Sequence, residues 1–174
     1  NRIEQLVHQP YNSWSSGLST YCGQNKGANR YDRILLGFRR SMMVMAGFSL
    51  LMLPVMQIFG KNIIRLFVDD PEVIRLGARA LTITSWFYIA LGTIIMCRGI
   101  LNGIGDAAFA LINGVVEMIG RIFLPAIITM IPFIGVWGIW WASGATWFTV
   151  AIIVYLRYRS NIWVEKGLVR RTAQ

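Results

Sequence analysis

Charged residues are scarce in this chain, and three long stretches lack them altogether. Only 14% of the 174 residues are charged, against about 25% in an ordinary soluble domain. No charge lies within 41–60, 80–97 or 122–156, and the last run is long enough for two spans divided at 132–135. Since a helix needs roughly 20 apolar residues to cross the hydrocarbon core of a bilayer, the sequence predicts helices that lie in lipid.

Cysteine, histidine and catalytic motifs are also scarce. Cys22 and Cys97 are the two cysteines, and without a CxxC pair they favour neither a disulfide framework nor a metal site. His8 is the one histidine, so there is no HExxH sequence, and no glycine-rich phosphate loop is present. We interpret His8 as a hydrogen-bonded histidine, with pH sensing as the alternative. These absences argue against an enzyme, and nothing calls for a cofactor or a metal ion.

Positive charge is abundant, with a net charge of +9. A nucleic-acid-binding domain clusters its basic residues on one face or groove. Here they flank the apolar runs, as membrane topology requires. The charge therefore indicates a lipid bilayer as partner, and no nucleic acid.

The fold class predicted from these runs is all-α, a polytopic helical membrane bundle with five transmembrane helices. A helix cap is expected at Asp70, because Pro71 and Glu72 suit the first turn of a helix. Breakers at 102–106 and 132–135 separate the later helices. The predicted helices are about 1–22, 38–59, 71–102, 107–131 and 136–158, and 159–174 is predicted to be a cytoplasmic tail.

The first predicted helix has two unlike faces. Its apolar residues recur every three or four positions, which is helical periodicity, while Gln5, Asn12 and Ser16 belong to a polar face. Pro10 is expected to kink the helix or to start it anew. The polar face is interpreted either as the lining of a wet cavity or as a surface for close helix packing.

The basic residues also predict an orientation. Lys61, Arg65, Arg75 and Arg79 lie on one side, where three nearby acids almost cancel them. Since the side richer in Lys and Arg faces the cytoplasm, the C-terminus is predicted to be cytoplasmic in a plasma (inner) membrane protein. The eleven basic residues on that side are Lys26, Arg30, Arg33, Arg39, Arg40, Arg98, Arg157, Arg159, Lys166, Arg170 and Arg171.

Glu117 and Arg121 are charges within a predicted span. They lie roughly 15–21 Å into the helix that starts at Ala107, and a central charge costs about 2.5–3.5 kcal/mol on insertion scales. Their spacing of four puts them on one helix face, where each can pair with the other. They form either a substrate-contacting or proton-linked pair, or a structural ion pair. Trp86 is a further candidate, either for stacking on a flat cation or for simple burial.

Four segments resemble a known family in the same order. GLSTYCGQNKGA at 17–28 is similar to the loop after the eighth helix of multidrug and toxic-compound extrusion (MATE) transporters. LFVDDPEVI at 66–74, RGILNGIGD at 98–106 and GVVEMIGR at 114–121 resemble later parts of that family. The set covers nearly the whole chain.

This resemblance implies a protein of twelve helices in two six-helix lobes that exports small organic cations against a proton or sodium gradient. The chain would correspond to helices eight to twelve, so the N-terminal lobe and its coupling acid would be missing, and the chain is expected to be a fragment. The polar face of the first helix would line the cavity. Glu117 and Arg121 match the family pattern in position. The run 80–97 has no acid, which argues against the sodium site that some branches carry in the tenth helix.

Two other functions are kept open. A lipid-linked saccharide flippase of the same superfamily would need a large cationic cavity, and Arg121 is the one deep positive charge that the sequence predicts. A membrane scaffold that transports nothing is the third possibility. It predicts that Glu117→Gln leaves function intact and that no ligand changes stability.

Overall fold

Six helices make up the described part of the chain, which is residues 2–130 and 137–159 of a computed structural model. Three of them are long and apolar enough to cross a membrane, and α3 and α4 together would make a fourth span. The predicted all-α membrane bundle is confirmed, while a crossing by 1–22 stays a prediction. The helices are α1 (Arg2–Gly27), α2 (Tyr31–Arg65), α3 (Pro71–Ser85), α4 (Tyr88–Gly103), α5 (Ala107–Thr129) and α6 (Gly138–Arg159).

Two helices run further than the sequence predicts. α2 begins at Tyr31 and ends at Arg65, so it extends beyond both ends of the predicted helix 38–59. α1 continues through Pro10 to Gly27 without starting anew. A proline removes one backbone donor. The turns around Pro10 in α1 and Pro54 in α2 nevertheless remain helical. The predicted ends near 132–135 and the tail from 160 onward lie outside the described residues.

The predicted helix 71–102 is two helices in the structure. α3 ends at Ser85, α4 begins at Tyr88, and their axes differ in direction by 61°. The Thr82 carbonyl accepts from Ser85 Oγ at 2.8 Å and from Gln57 Nε2 at 3.2 Å. Backbone groups released by a helix break need such polar partners in a membrane. Side chains of α2 and α3 therefore stabilise the break. The predicted cap at the start of α3 is confirmed, since Asp70 Oδ1 accepts from the Glu72 amide at 2.8 Å.

The centre of the bundle is α4, which packs against α1, α2, α5 and α6. Its side toward α1 is built from small residues. A Cβ added at Gly99 would lie 2.9 Å from the Ser15 carbonyl oxygen, and one at Gly103 would overlap the Ser19 carbonyl. Such contacts are shorter than real Cβ atoms make, so only glycine permits this approach of two helix backbones. The GxxxG pair therefore brings α1 and α4 together.

Polar contacts tie several helices together at one end of the bundle. Lys26 Nζ at the end of α1 donates to the Ile104 carbonyl after α4. Arg157 Nη2 of α6 lies 3.1 Å from Asp106 Oδ2 before α5. Gly105 between these acceptors has φ +80°, a value that favours glycine. Lys26 and Arg157 at this tied end are both among the basic residues assigned from the sequence to the cytoplasmic side, and the orientation itself stays a prediction.

Candidate functional site

A network of charged and amide groups joins α4 to α5. Glu117 Oε1 accepts from Arg121 Nη2 at 2.7 Å, and Glu117 Oε2 accepts from Arg98 Nη2 on the neighbouring helix. Asn113, with its amide assigned so that the oxygen faces Arg98, accepts from Nε at 2.9 Å and from Nη2 at 3.2 Å. One carboxylate is thus held between two guanidinium groups. We call Arg98, Asn113, Glu117 and Arg121 the α4–α5 polar network.

Helix geometry places these residues. Asn113, Glu117 and Arg121 are spaced four apart along α5, so they form one row on its surface. The short turn at 104–106 returns the chain beside α4, where Arg98 faces that row. Arg98 and Asn113 were not among the residues proposed from the sequence. Arg98 follows an apolar run and was assigned to the basic flank. The four-residue spacing of Asn113, Glu117 and Arg121 could have identified Asn113 from the sequence.

The members of the network differ in exposure. Asn113 is 1% exposed, and the side chains of Glu117 and Arg98 are 16% and 31% exposed. The Arg121 side chain is 56% exposed and lies with Glu117 in an open groove on α5. Arg121 is therefore the member that can leave the carboxylate most easily. The network has a net formal charge of +1.

Two residues of α1 lie near this network or near the helix break. The His8 ring packs edge-on against Trp147 of α6, with ring centroids 5.8 Å apart. Within the described residues its buried Nε2 atom has no hydrogen-bond partner, so the hydrogen-bonded state expected for His8 is not seen at that atom. Glu117 and Arg121 are among the charges that act on His8. Glu4 lies beside Thr84 where α3 approaches its end, and the sequence interpretation did not single it out.

The proposed polar residues of α1 lie elsewhere. Gln5, Asn12 and Ser16 are all exposed, and they occupy the side of α1 that faces away from the core. The opposite side of this helix carries the buried Val7, Tyr11, Leu18 and Cys22. The structure therefore does not bring the three polar residues together with Glu117. It presents them as a separate polar stripe, which we call the α1 polar face.

Trp86 occupies the break between α3 and α4. Its side chain is 62% exposed, and it borders a groove of about 480 Å³ between α2, α4 and α6. Phe87, Phe148 and Met42 also line this groove, which is mostly apolar. Trp86 is therefore not simply buried within the described residues, and its ring is accessible to an apolar or flat ligand.

The α4–α5 polar network holds one carboxylate between two cationic partners, and one of these partners can be replaced. Each arginine donates a charge-assisted hydrogen bond to the Glu117 carboxylate. Arg98 links two helices, whereas Arg121 pairs within α5 and is more exposed. A cation that reached Glu117 could replace Arg121 while Arg98 kept the carboxylate in place. Deep ionisable groups of this kind mark ion or substrate pathways in membrane proteins.

Comparison with known proteins gives matches along nearly the whole chain. A family model described as MatE matches residues 1–127, from α1 to most of α5. The probable multidrug resistance protein YoeA of Bacillus subtilis (strain 168) is 22% identical over 98% of this chain and 37% of its own length. The uncharacterized transporter YisQ of the same organism is 28% identical over 88% of the chain and 34% of its length.

A third relative extends the pattern. The probable multidrug resistance protein YpnP of Bacillus subtilis (strain 168) is 24% identical over 93% of this chain and 36% of its own length. The chain therefore spans about a third of the length of the curated relatives it matches. The family match includes both Glu117 and Arg121.

Proposed function

The chain belongs to the MatE family, and from this we propose that it forms part of the second lobe of an exporter that exchanges organic cations for protons or sodium ions. The family consists of transporters, not enzymes, and the helices described above are those of a multi-pass membrane protein. In this proposal the lobe rocks against a partner lobe and the substrate is held between them. In the same proposal, a first lobe like this one supplies the other wall of the cavity.

The α4–α5 polar network is the observation that carries this proposal. Glu117 lies roughly 15 Å along α5, inside an apolar span, and two arginines and a buried amide surround it. A membrane protein retains such costly groups where they serve transport or fix helix packing. Arg121 is the exchangeable partner because of its exposure. We propose that a cationic substrate or the coupling step uses this exchange.

The α1 polar face supports the same function. Gln5, Asn12 and Ser16 are exposed polar residues on a helix whose other side packs in the core. The exposed face of α2, by contrast, is strongly apolar and suits lipid. Polar side chains are unfavourable against lipid tails. We therefore propose that this face lines the wet cavity between the two lobes, with Trp86 as an aromatic contact on the substrate path.

A substitution at Glu117 tests the proposal. In the full-length protein, Glu117→Gln removes the charge that both arginines bind while keeping the side-chain shape. We expect export of a fluorescent organic cation from cells, or its uptake into inverted vesicles, to fall about tenfold, which corresponds to roughly 1.4 kcal/mol. Glu72→Gln is the matched control, because Glu72 is an exposed acid whose ion pair among the described residues is with the exposed Arg75.

The same experiment separates the alternatives. Unchanged export by Glu117→Gln at normal expression would leave the network with a structural role and would contradict its use in transport. The membrane scaffold predicts that outcome, together with no stabilisation by any organic cation. A flippase for a phosphate-bearing lipid needs free deep cations. The structure adds Arg98 to the polar network, but Arg98 is already bound by Glu117 and Asn113, so export of cations remains the better-supported function.

A further inference from the structure

A groove between α1 and α2 is separate from the polar network and from the α1 polar face. Its volume is about 710 Å³, and its walls include Trp14, Leu18 and Tyr21 of α1 and Gly37 and Arg40 of α2. Apolar surface dominates the groove, and Arg40 is the charged residue that borders it. Trp14 and Tyr21 are 45% and 37% exposed. We call this apolar groove, with the cationic Arg40 at its rim, the trough.

Glycines and a hydrogen bond shape the trough. A Cβ added at Gly17 would meet nothing within 4 Å, so the wall there is open. At Gly37 an added Cβ would overlap the Tyr21 ring, so the glycine lets that ring contact α2 closely. Tyr21 OH donates to the Arg33 carbonyl at 3.2 Å, which closes one end of the trough. From Pro10 to Tyr21 the trough runs about 16 Å along α1, close to half of the ~30 Å hydrocarbon core.

The closed end is strongly basic. Four arginines and one acid, Asp32, are the charged residues within 30–40. Arg33 and Arg40 are seven residues apart, so they lie on one side of α2. The exposed apolar residues Val44 and Leu51 continue that side toward the middle of the helix. The ion pairs found among residues 2–130 and 137–159 involve neither arginine, so both are available to an anion.

We propose that this trough binds one anionic glycerophospholipid from the leaflet on the basic side. Its phosphate would contact Arg40 and Arg33, and one acyl chain would lie along Trp14 and Leu18 past the open position at Gly17. The charge at the rim and the apolar trough below it match the two parts of such a lipid, and their length matches one leaflet. Basic pockets between transmembrane helices bind anionic headgroups by this chemistry.

The test measures lipid retention by the full-length protein in a mild detergent. Native mass spectrometry compares phosphatidylglycerol with phosphatidylcholine that carries the same acyl chains. We expect phosphatidylglycerol to bind more tightly, and Arg40→Gln to weaken it about five-fold, as expected for the loss of one arginine at an anionic surface. Lys61→Gln is the control, because Lys61 is an exposed cation at the other end of α2.

A second variant tests the acyl-chain part. Gly17→Leu places a side chain in the open wall, leaves every charge in place and suits a helix better than glycine. We expect it to weaken binding of phosphatidylglycerol, and inorganic phosphate alone to neither bind nor compete. Equal retention of the two lipids, or unchanged retention by Arg40→Gln, would overturn the proposal. So would unchanged retention by Gly17→Leu, which would indicate that another segment of the protein fills the trough.

Discussion

Arg98 and Arg121 bind the same carboxylate but contribute differently to helix packing. Arg98 reaches Glu117 from another helix and also contacts the buried amide of Asn113. Arg121 pairs with Glu117 within α5, and its side chain is 56% exposed. The pair of Glu117 and Arg121 lies within one helix and joins no second element. The packing of α4 against α5 therefore depends on Arg98 more than on Arg121.

This difference is testable by stability. Arg98→Gln leaves Asn113 and one Glu117 oxygen without their donor, and we expect a loss of about 2 kcal/mol, because hydrogen bonds to charged groups contribute about 1.5–3 kcal/mol. Arg121→Gln should cost clearly less, because it breaks no contact between helices. Thermal unfolding of the full-length protein in detergent measures both. A double-mutant cycle with Glu117→Gln assigns the coupling to each pair, and equal costs for the two arginines would contradict this account.

The residues of the site could be predicted from the sequence only in part. The pair of Glu117 and Arg121 followed from helical spacing within one apolar run, and the structure confirms their contact. Arg98 could not be assigned in the same way, because its contact depends on how the turn at 104–106 sets α4 against α5. Its place after a long apolar run is equally typical of an interfacial anchor.

At the scale of helices, the packing of α1 on α4 depends on glycine. Gly99 faces the Ser15 backbone, and Gly103 faces the Ser19 backbone. Neither backbone can withdraw as a flexible side chain could, so added atoms must push the two helices apart. Extra methyl or methylene groups in a packed core typically cost about 1–3 kcal/mol.

Gly99→Val should therefore lower the apparent melting temperature of the full-length protein in detergent by several degrees, since the cost is about 1–3 kcal/mol. Gly114→Val is the matched control on α5, because a Cβ added there meets nothing within 4 Å. We expect that control to be close to neutral. If both variants lost the same stability, helix propensity rather than the α1–α4 contact would explain the loss.

The helices themselves were predicted more reliably than their breaks. The runs without charge identified the apolar helices, and Asp70 with Pro71 and Glu72 identified the start of α3. The break at 86–87 had no such signal, since it lies inside the uncharged run 80–97. It depends on contacts from a distant part of the chain, where Gln57 donates to the Thr82 carbonyl and Ser49 Oγ lies 3.2 Å from the Tyr88 carbonyl.

For the whole molecule, the basic end of the bundle sets the expected orientation. The loop between α1 and α2 lies at the tied end, close to the turn after α4, while the loop between α2 and α3 lies at the other end of α2. The excess of Lys and Arg predicts that the tied end faces the cytoplasm. The buried cysteines Cys22 and Cys97 are both unpaired and 0% exposed, so they should give little background in a labelling experiment.

Cysteine labelling then tests the topology. In intact cells that make the full-length protein, Lys61→Cys should react with a membrane-impermeant maleimide. Ala28→Cys should react only after the membrane is permeabilised. Both positions are exposed, so accessibility within the bundle is matched. The reverse pattern of labelling would place the basic end outside and would contradict the orientation.

The bend between α3 and α4 has a mechanical consequence for the whole lobe. α4 is held by close contact with the α1 backbone at Gly99 and Gly103, whereas α3 joins it through two non-helical residues, Trp86 and Phe87. α3 is about 22 Å long and also packs against α2 and α6, so a tilt of about 10° at this junction would move its Pro71 end by about 4 Å and would carry the adjoining part of α2 with it.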